Sequence, residues 1–490
     1  MNYDLLTEYQ NKIAELEYLD NILWWELKTQ APINSKIYLS DMITKVELEL
    51  FKLKTSSVYK ELLDNYLDSA EIKEHSLEIN RYYEQFRKKY ELNKKVPEEF
   101  YEKYTSLRTK CNTVWAEAKS KNDYNLYKPY LNDIIEATKE YYRYMYPNVN
   151  LYDAMLDTYE TGMTSSIIDK LFNELKECLL PLVKGLKRSV PKNNYLRSYS
   201  ETELIECAKY LLEYIGFDMR RGTLGIYPHG FTEKVNKDDI RIAFKQGNNP
   251  IDFVSTIIHE GGHGIFEQQI TDELGSIQNS CIEDCYALHE SQSRFFENIL
   301  GRNINFWKPI YNDIKDMLKL DLTLEEFVAE LNDAHPSLVR TEADELTYCF
   351  HIIVRYEIER EIFNNNVSID ELPKLWNSKM IEYLGVEVPN DALGIMQDVH
   401  WSEGSFGYFP SYLLGNIYDG MFIEQIEKDL GNIDELLSGG RIQEITKYLS
   451  ENIHQYGGAY NSLEVIKRVC GKELSAVPII NYFKQKYTIL

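Results

Sequence analysis

The chain has 490 residues, a formal net charge of −24 and 44% hydrophobic residues, the proportions of a soluble globular protein with a sizeable core. The negative charge argues against nucleic acid and anionic membranes as partners, and no run reaches the roughly 18 apolar residues of a membrane span. The 7 cysteines are scattered, and no export signal is recognisable, so we expect free thiols in a cytoplasmic protein.

The hydrophobic pattern of the N-terminal part of the chain predicts long helices. From residue 1 to about 145, apolar residues recur at spacings of three and four among many Glu and Lys. The pattern pauses near Tyr146 and then resumes. Beyond about residue 222 it changes, because residues 223–227 and 239–244 alternate with the two-residue period of strands. We therefore expect a mainly α fold with a small antiparallel sheet just before the next helix.

That next helix carries the pattern His-Glu-x-x-His. Asn249 and Pro250 suit its N-terminus, and His259 and His263 follow four residues apart. Residues at this spacing lie on one face of a helix, so both imidazoles can bind one metal ion. Glu260 would lie beside the metal, where a general base for the activated water belongs. The alternative is a chance motif on a helix without metal.

Two glycines inside this motif, Gly261 and Gly262, are unusual in the middle of a helix. Each costs about 1 kcal/mol relative to Ala. We therefore expect something to approach the helix closely at this point, such as a strand or the substrate backbone.

A catalytic zinc site needs a third protein ligand and an open coordination position. The segment Ser280-x-x-Glu283 predicts a capping box that opens the following helix, and this helix carries Glu290. We expect Glu290 to be the third ligand, because a buried carboxylate is costly unless it is paired or coordinates a metal. Glu283 and Glu297 are the fallback ligands, and a surface position for Glu290 is the alternative.

Several separated segments resemble the carboxypeptidase Taq family of metallocarboxypeptidases (the thermostable carboxypeptidase 1 type). They include LWWELKTQAP, YDAMLDTYETGMT, HEGGH, HESQS, VRTEADE, GIMQDVHW and GYFPSYLLG. The resemblance implies a zincin-like (gluzincin) helical fold with a deep substrate groove. It also implies a single catalytic domain over residues 1–490, in which 1–221 form one groove wall and 222–490 the metal-binding half.

The resemblance further implies which residues act. The family's metal ligands correspond to His259, His263 and Glu290, its catalytic glutamate to Glu260, and the arginine that binds the substrate's terminal carboxylate to Arg340. Members use zinc or cobalt, remove single residues from peptide C-termini with broad specificity, and tend to form homodimers. The family's His-Pro-Phe and DxRxT motifs are altered here at Gly230 and Ala243, which is expected to loosen a turn and remove a hydroxyl.

Peptide cleavage also requires a donor for the developing oxyanion. His229, His400, Tyr408 and Tyr412 are the candidates, because they lie in glycine- or proline-marked loops. The alternative for each is a packing role in the groove wall.

An exopeptidase must recognise a chain end, and a free carboxylate is best bound by a guanidinium such as Arg340, through two parallel hydrogen bonds. The alternative is that Arg340 pairs with Glu342 or Asp344. These two acids and Asp398 are also candidates for orienting the ligand imidazoles. Two other functions stay open from the sequence: an endo-acting zinc oligopeptidase on the same scaffold, and an inactive helical peptide-binding protein.

Overall fold

The computed structural model describes residues 2–186, 197–277 and 284–488. This described part is mainly helical, as predicted, and contains one three-stranded sheet. The predicted capping box at Ser280 and Glu283, and with it Glu283 as a fallback ligand, lies outside the described residues. None of the described helices is long and apolar enough to span a membrane.

The helices predicted for the first 145 residues are confirmed. They are α1 (Asn2–Thr29), α2 (Lys36–Lys54), α3 (Ser57–Leu67), α4 (Leu77–Asn93), α5 (Glu98–Lys121) and α6 (Tyr124–Met145). Before the sheet follow α7 (Leu151–Tyr159), α8 (Ser165–Gly185) and α9 (Glu201–Ile215). Helix α9 is an example of a helix whose two ends are determined by particular residues. Ser200 and Glu203 form a capping box, and Gly216 ends the helix in the left-handed region at φ 106°.

The sheet is mixed rather than wholly antiparallel. Its strands are β1 (Gly222–Ile226), β2 (Phe231–Asn236) and β3 (Asp239–Phe244), in the spatial order β1-β3-β2. The central strand β3 runs parallel to β1 and antiparallel to β2. The two predicted strands are present, but their predicted antiparallel pairing is wrong. The segment between them contains β2, which forms the antiparallel hairpin with β3 and leaves β1 to pair in parallel.

The remaining helices follow the sheet: α10 (Pro250–Gln268), α11 (Asp272–Gly275), α12 (Tyr286–Arg294), α13 (Ile304–Trp307), α14 (Tyr311–Leu318), α15 (Leu324–Leu331), α16 (Glu345–Asn364), α17 (Leu372–Leu384), α18 (Phe409–Leu430), α19 (Ile433–Ser438), α20 (Ile442–Asn452), α21 (Ser462–Cys470) and α22 (Val477–Thr488). Helix α12 continues into a π-helical segment, Phe295–Leu300. The His-Glu-x-x-His motif lies in α10, whose first turn is capped by the side chain of Asn249, as predicted. Helix α10 packs against α9, α12, β2 and β3.

The chain forms two compact units. The first contains the sheet, α10 and α12, and the second contains α5 to α8, α16 and α17. The first comprises Met1–Arg87, Val190–Asp333 and Gly415–Leu474, and the second comprises Lys88–Ser189, Ala334–Leu414 and Ser475–Leu490. Each unit therefore draws segments from both sides of residue 221, the predicted boundary between the two halves. The single catalytic domain stays a prediction.

The two glycines of α10 are sites of close helix packing. A Cβ atom on Gly262 would lie 2.7 Å from the carbonyl oxygen of Gln292 and 2.7 Å from Cα of Ser293, both in the backbone of α12. A Cβ atom on Gly261 would lie 2.6 Å from Cδ1 of Ile215 in α9. The expected close approach is confirmed, but the neighbours are helices rather than a strand or a substrate.

Gly262→Ala should destabilise the protein more than Gly261→Ala. The new methyl group at position 262 meets helix backbone, whereas at position 261 it meets the flexible ends of Ile215 and Leu212. Overpacking costs about 1–3 kcal/mol, set against about 1 kcal/mol gained by replacing a helical glycine. Thermal unfolding of the metal-free variants measures the difference. Equal stability of the two variants would contradict the packing argument.

Candidate metal centre

Two helices of the first unit bring three ligand side chains together. His259 and His263 come from α10 and Glu290 from α12, and their ligand atoms lie within 4.8 Å of one another. Oε2 of Glu290 is 3.3 Å from Nε2 of His263 and 3.9 Å from Nε2 of His259. Two ligands bound at about 2.0–2.1 Å to a tetrahedral ion are about 3.3 Å apart. The donor set and its spacing therefore fit a divalent metal ion.

A carboxylate behind His259 fixes the orientation of that ring. Oε2 of Glu297 lies 2.8 Å from Nδ1 of His259, which leaves Nε2 facing Glu290. Burial opposes ionisation of Glu297, but the contact with His259 and the charge of Arg294 lower its pKa to about 2. Glu297 was predicted as a fallback ligand. Its position on the far side of the imidazole makes it an orienting carboxylate instead.

The charge states of Glu290 and His263 suit metal binding. Nε of Arg294 donates a hydrogen bond of 2.8 Å to Oε1 of Glu290. Despite burial, Arg294 and the two imidazoles hold the pKa of Glu290 well below its usual range. Burial, aided by nearby His289, lowers the pKa of His263 to about 3. An ionised carboxylate and a neutral imidazole are the forms that coordinate metals.

Glu260 is buried next to this donor set but is not part of it. The hydroxyl of Thr232 on β2 lies 2.8 Å from its Oε2 and donates to it. Burial raises the pKa of Glu260 to about 6, although His259 and the Thr232 hydroxyl act in the opposite direction. A carboxylate with this pKa is mostly ionised at neutral pH and accepts a proton readily, as a general base must.

The two departures from the family motifs lie in the sheet region. A Cβ atom on Gly230 would lie 2.5 Å from Cγ2 of Thr256 and 2.9 Å from Oε1 of Glu260. The turn was expected to be loosened by this glycine, yet the space around it is confined. A side chain here would require Thr256, Glu260 or the turn itself to shift. Ala243 is fully buried in β3, so the missing hydroxyl would have lain inside the protein.

In the second unit, Arg340 belongs to a buried charge network. Its Nε donates to Oδ1 of Asp398 at 2.9 Å, and Nε of Arg355 donates to Oδ2 of the same carboxylate at 2.7 Å. Nη1 of Arg340 donates to the hydroxyl of Tyr348 at 3.1 Å. The partner of Arg340 is therefore Asp398, and the alternative pairing with Glu342 or Asp344 is not formed.

Asp398 and Asp344, which were also candidates for orienting the ligand imidazoles, are hydrogen-bonded to other groups. Both oxygens of Asp398 are held by Arg340 and Arg355. Oδ1 of Asp344 caps α16 by accepting the backbone N–H groups of Leu346 and Thr347. For His259 the orienting role belongs to Glu297, as described above.

The oxyanion candidates fall into two groups. His229 is exposed in the turn between β1 and β2 of the first unit. His400, Tyr408 and Tyr412 cluster in the second unit. Nε2 of His400 lies 3.1 Å from the hydroxyl of Tyr412, and its ring stacks on Tyr408 with centroids 5.5 Å apart. Burial and nearby Arg340 lower the pKa of His400 to about 3, which keeps the ring neutral. The catalytic role of each stays a prediction.

Sequence reasoning missed three polar residues near the centre: Thr232, Lys234 and Glu267. Thr232 and Lys234 lie on β2, the strand that was not predicted. Glu267 follows His263 by four residues, so the helical period could have placed it on the same face. Its partner, Lys234, comes from another element and carries no signal in the sequence.

The His-Glu-x-x-His helix, a glutamate ligand from a following helix and a buried glutamate beside them define a helical metallopeptidase. The family model for the carboxypeptidase Taq (M32) metallopeptidases matches residues 5–487. The chain belongs to this family and is therefore an enzyme of the metallocarboxypeptidase group.

Individual relatives match along nearly their whole length. Carboxypeptidase 1 of Bacillus subtilis (strain 168) is 39% identical, with 100% of this chain and 97% of that protein covered. Thermostable carboxypeptidase 1 of Thermus thermophilus is 31% identical, with 100% and 98% covered. The crystal structure of the M32 carboxypeptidase from Deinococcus radiodurans R1 superposes with a TM-score of 0.93 at 26% identity, covering 100% of this chain and 99% of that one.

Thr232→Val should move the acid limb of the activity profile to higher pH. Ionised Glu260 loses a hydrogen bond of a kind worth about 1.5–3 kcal/mol, so its pKa rises by about one to two units. Activity that needs the ionised carboxylate is then lost sooner as the pH falls. The pH dependence of kcat/KM at full metal loading measures this shift, and Thr232→Ser, which keeps the hydroxyl, is the control. An unmoved limb in the Val variant would contradict the role of Thr232.

Proposed function

We propose that this enzyme removes single amino acids from the C-termini of peptides with broad specificity, using Glu260 as the general base. The observation that carries the proposal is the donor set of His259, His263 and Glu290 beside a buried carboxylate outside that set. Broad specificity rests on the family resemblance.

The first unit supplies the groups for hydrolysis. His259, His263 and Glu290 would hold a divalent ion, which would supply the Lewis acidity needed to activate water at neutral pH and to polarise the scissile carbonyl. The carboxylate of Glu260 accepts the proton of the attacking water and then transfers it to the leaving nitrogen. Thr232 holds one oxygen of this carboxylate through the 2.8 Å hydrogen bond, which limits its rotation.

Arg340 is proposed to bind the terminal carboxylate of the substrate. Arg340 and Arg355 share the single carboxylate of Asp398, so this triad has one positive charge in excess. Nη2 of Arg340 makes no hydrogen bond to any residue that the structure describes, whereas Nε and Nη1 are already bound. A fixed guanidinium with an unused donor suits recognition of a carboxylate.

For the oxyanion, we propose His229, His400, Tyr408 and Tyr412 as candidate donors. Tyr412 contacts His400, so the aromatic cluster contains both a neutral imidazole and phenolic hydroxyls. Such groups are suitable hydrogen-bond donors to a developing negative charge.

Three further properties are part of the proposal. Zinc is the expected metal, with cobalt as a substitute, because two imidazoles and one carboxylate are a common zinc donor set. A cytoplasmic location is supported by the cysteines, since the six described ones are all free thiols. Homodimer formation rests on the family resemblance, and sedimentation analysis tests it.

Mass spectrometry of a peptide digest over time tests the direction and step size of cleavage. The zinc- or cobalt-loaded enzyme should produce a ladder that shortens from the C-terminus by one residue at a time. The same peptide with an amidated C-terminus should be a poor substrate. Internal cuts, or equal cleavage of the amidated peptide, would indicate an endopeptidase. A protein that binds no metal and releases nothing would belong to the inactive peptide-binding class.

Glu260→Gln should retain bound metal and lose turnover, because glutamine keeps the shape of the side chain but cannot accept the proton. General-base catalysis contributes roughly 10²–10⁴-fold, so kcat should fall by about this factor. Metal content is measured in the same samples. Substantial remaining activity at full metal loading would remove Glu260 from the role of base.

Arg340→Ala should raise KM for peptides with a free C-terminus and leave the slow reaction of amidated peptides unchanged. The matched control is Arg340→Lys, which keeps the charge but not the fork of parallel donors. Steady-state kinetics on paired free and amidated peptides measures the effect. A uniform loss on both substrates, with unchanged metal content, would contradict the assignment.

A further inference from the structure

The two ligand imidazoles are held in different ways. Nδ1 of His259 has a carboxylate partner, Glu297, at 2.8 Å. Nδ1 of His263 is buried and makes no hydrogen bond to any part of the chain that the structure describes. The second torsion of a histidine side chain is broad, so a ring without such a partner needs another constraint to keep Nε2 aimed at a metal.

A second imidazole covers the face of His263. The ring of His289 on α12 stacks on it with centroids 4.4 Å apart and an angle of 19° between the planes. The ring of Phe266 meets His289 in an edge contact at 5.3 Å. His289 directly precedes Glu290, so two adjacent residues of α12 contact His263, one at the ring face and one at Nε2.

The ring of His289 is itself fixed by a buried ion pair. Its Nε2 lies 3.1 Å from Oε1 of Glu267, and Oε2 of Glu267 lies 3.1 Å from Nζ of Lys234. The side chains of Lys234 and Glu267 are almost fully buried, at 3% and 0% exposure. Although burial opposes ionisation, Lys234 and then His289 lower the pKa of Glu267 to about 2. The ionised carboxylate is an acceptor, so Nε2–H of His289 donates to it.

We propose that His289 is a positioning residue for the metal centre. Its ring face, held in place by Glu267 and Lys234, keeps the imidazole of His263 in the orientation in which Nε2 points towards Glu290. The stack takes the place of the hydrogen bond that Nδ1 of His263 lacks. This inference rests on the proposed metal role of His263, but its readout is metal binding rather than peptide hydrolysis.

Three substitutions of His289 distinguish the effect of the stacked ring on metal binding from the effect of the hydrogen bond to Glu267. His289→Gln keeps a donor towards Glu267 and removes the ring. His289→Phe keeps the aromatic face and removes the donor. His289→Leu fills a similar volume with no ring and is measured instead if the Gln variant does not fold. Zinc affinity is determined by competition with a chromophoric chelator, and the visible absorption of the cobalt-loaded protein reports the coordination geometry.

The expected result is a 10- to 100-fold loss of zinc affinity in His289→Gln, with altered cobalt bands, as for other groups that orient metal ligands. His289→Phe should stay within about threefold of the parent protein, because the stacked face is preserved. Thermal unfolding of the metal-free forms shows whether stability alone has changed. Parent-like zinc affinity and cobalt spectrum in the Gln variant would overturn the proposal. An equal loss in the Phe variant would also overturn it.

If the ring-less variants bind zinc as the parent does while peptides are still shortened from the C-terminus, only this inference fails. If the parent protein itself binds no zinc or cobalt, the proposed function fails first. The two results are therefore distinguishable in the same titrations.

Discussion

The burial of several carboxylates around two imidazoles is the constraint on which the metal centre depends. The glutamates of this cluster are Glu260, Glu267, Glu290 and Glu297, and the cationic side chains that contact them are Lys234, Arg294 and Arg302. Among the described residues the carboxylates outnumber these cations. Buried charge without compensation is strongly unfavourable. A divalent cation held by the two imidazoles and Glu290 would reverse the imbalance, and its binding would then be coupled to the folding of this region.

Close helix packing places the ligands. Glycine at position 262 lets the backbone of α12 lie against α10, and Gly415 on α18 allows a similar approach, because a Cβ atom there would lie 3.0 Å from the backbone nitrogen of Ser291. Helix α12 is thus held between two helices at the turns that follow Glu290. A small shift of this helix would move the carboxylate relative to both imidazoles, and metal geometry tolerates little displacement.

Much of the site was predictable because its signals are local. The four-residue spacing of His259 and His263, the cap at Asn249 and the carboxylate at Glu290 follow from helix geometry and from the needs of a metal ion. The glycines correctly indicated a close approach. The sequence could not identify the neighbour as a helix, since that depends on tertiary packing.

The sheet and the groups around the ligands were less predictable. Strand β2 reads FTEKVN, and Glu, Lys and Asn are depleted in strands, so alternation did not reveal it. Because β2 was not predicted, β1 and β3 were expected to pair in antiparallel orientation. In the structure β2 forms the antiparallel hairpin with β3, and β1 pairs with β3 in parallel. The inward position of Lys234 and the stacking of His289 on His263 arise only when segments distant in sequence meet.

X-ray absorption spectroscopy of the zinc-loaded protein, combined with measured metal stoichiometry, tests whether His259, His263 and Glu290 bind the metal ion. We expect one zinc ion per chain, with imidazole scattering from two histidines at about 2.0–2.1 Å and oxygen ligands completing the shell. Loss of part of the imidazole signal in His263→Ala would support the assignment. A protein that binds no zinc, or binds it with no imidazole in the coordination shell, would contradict it.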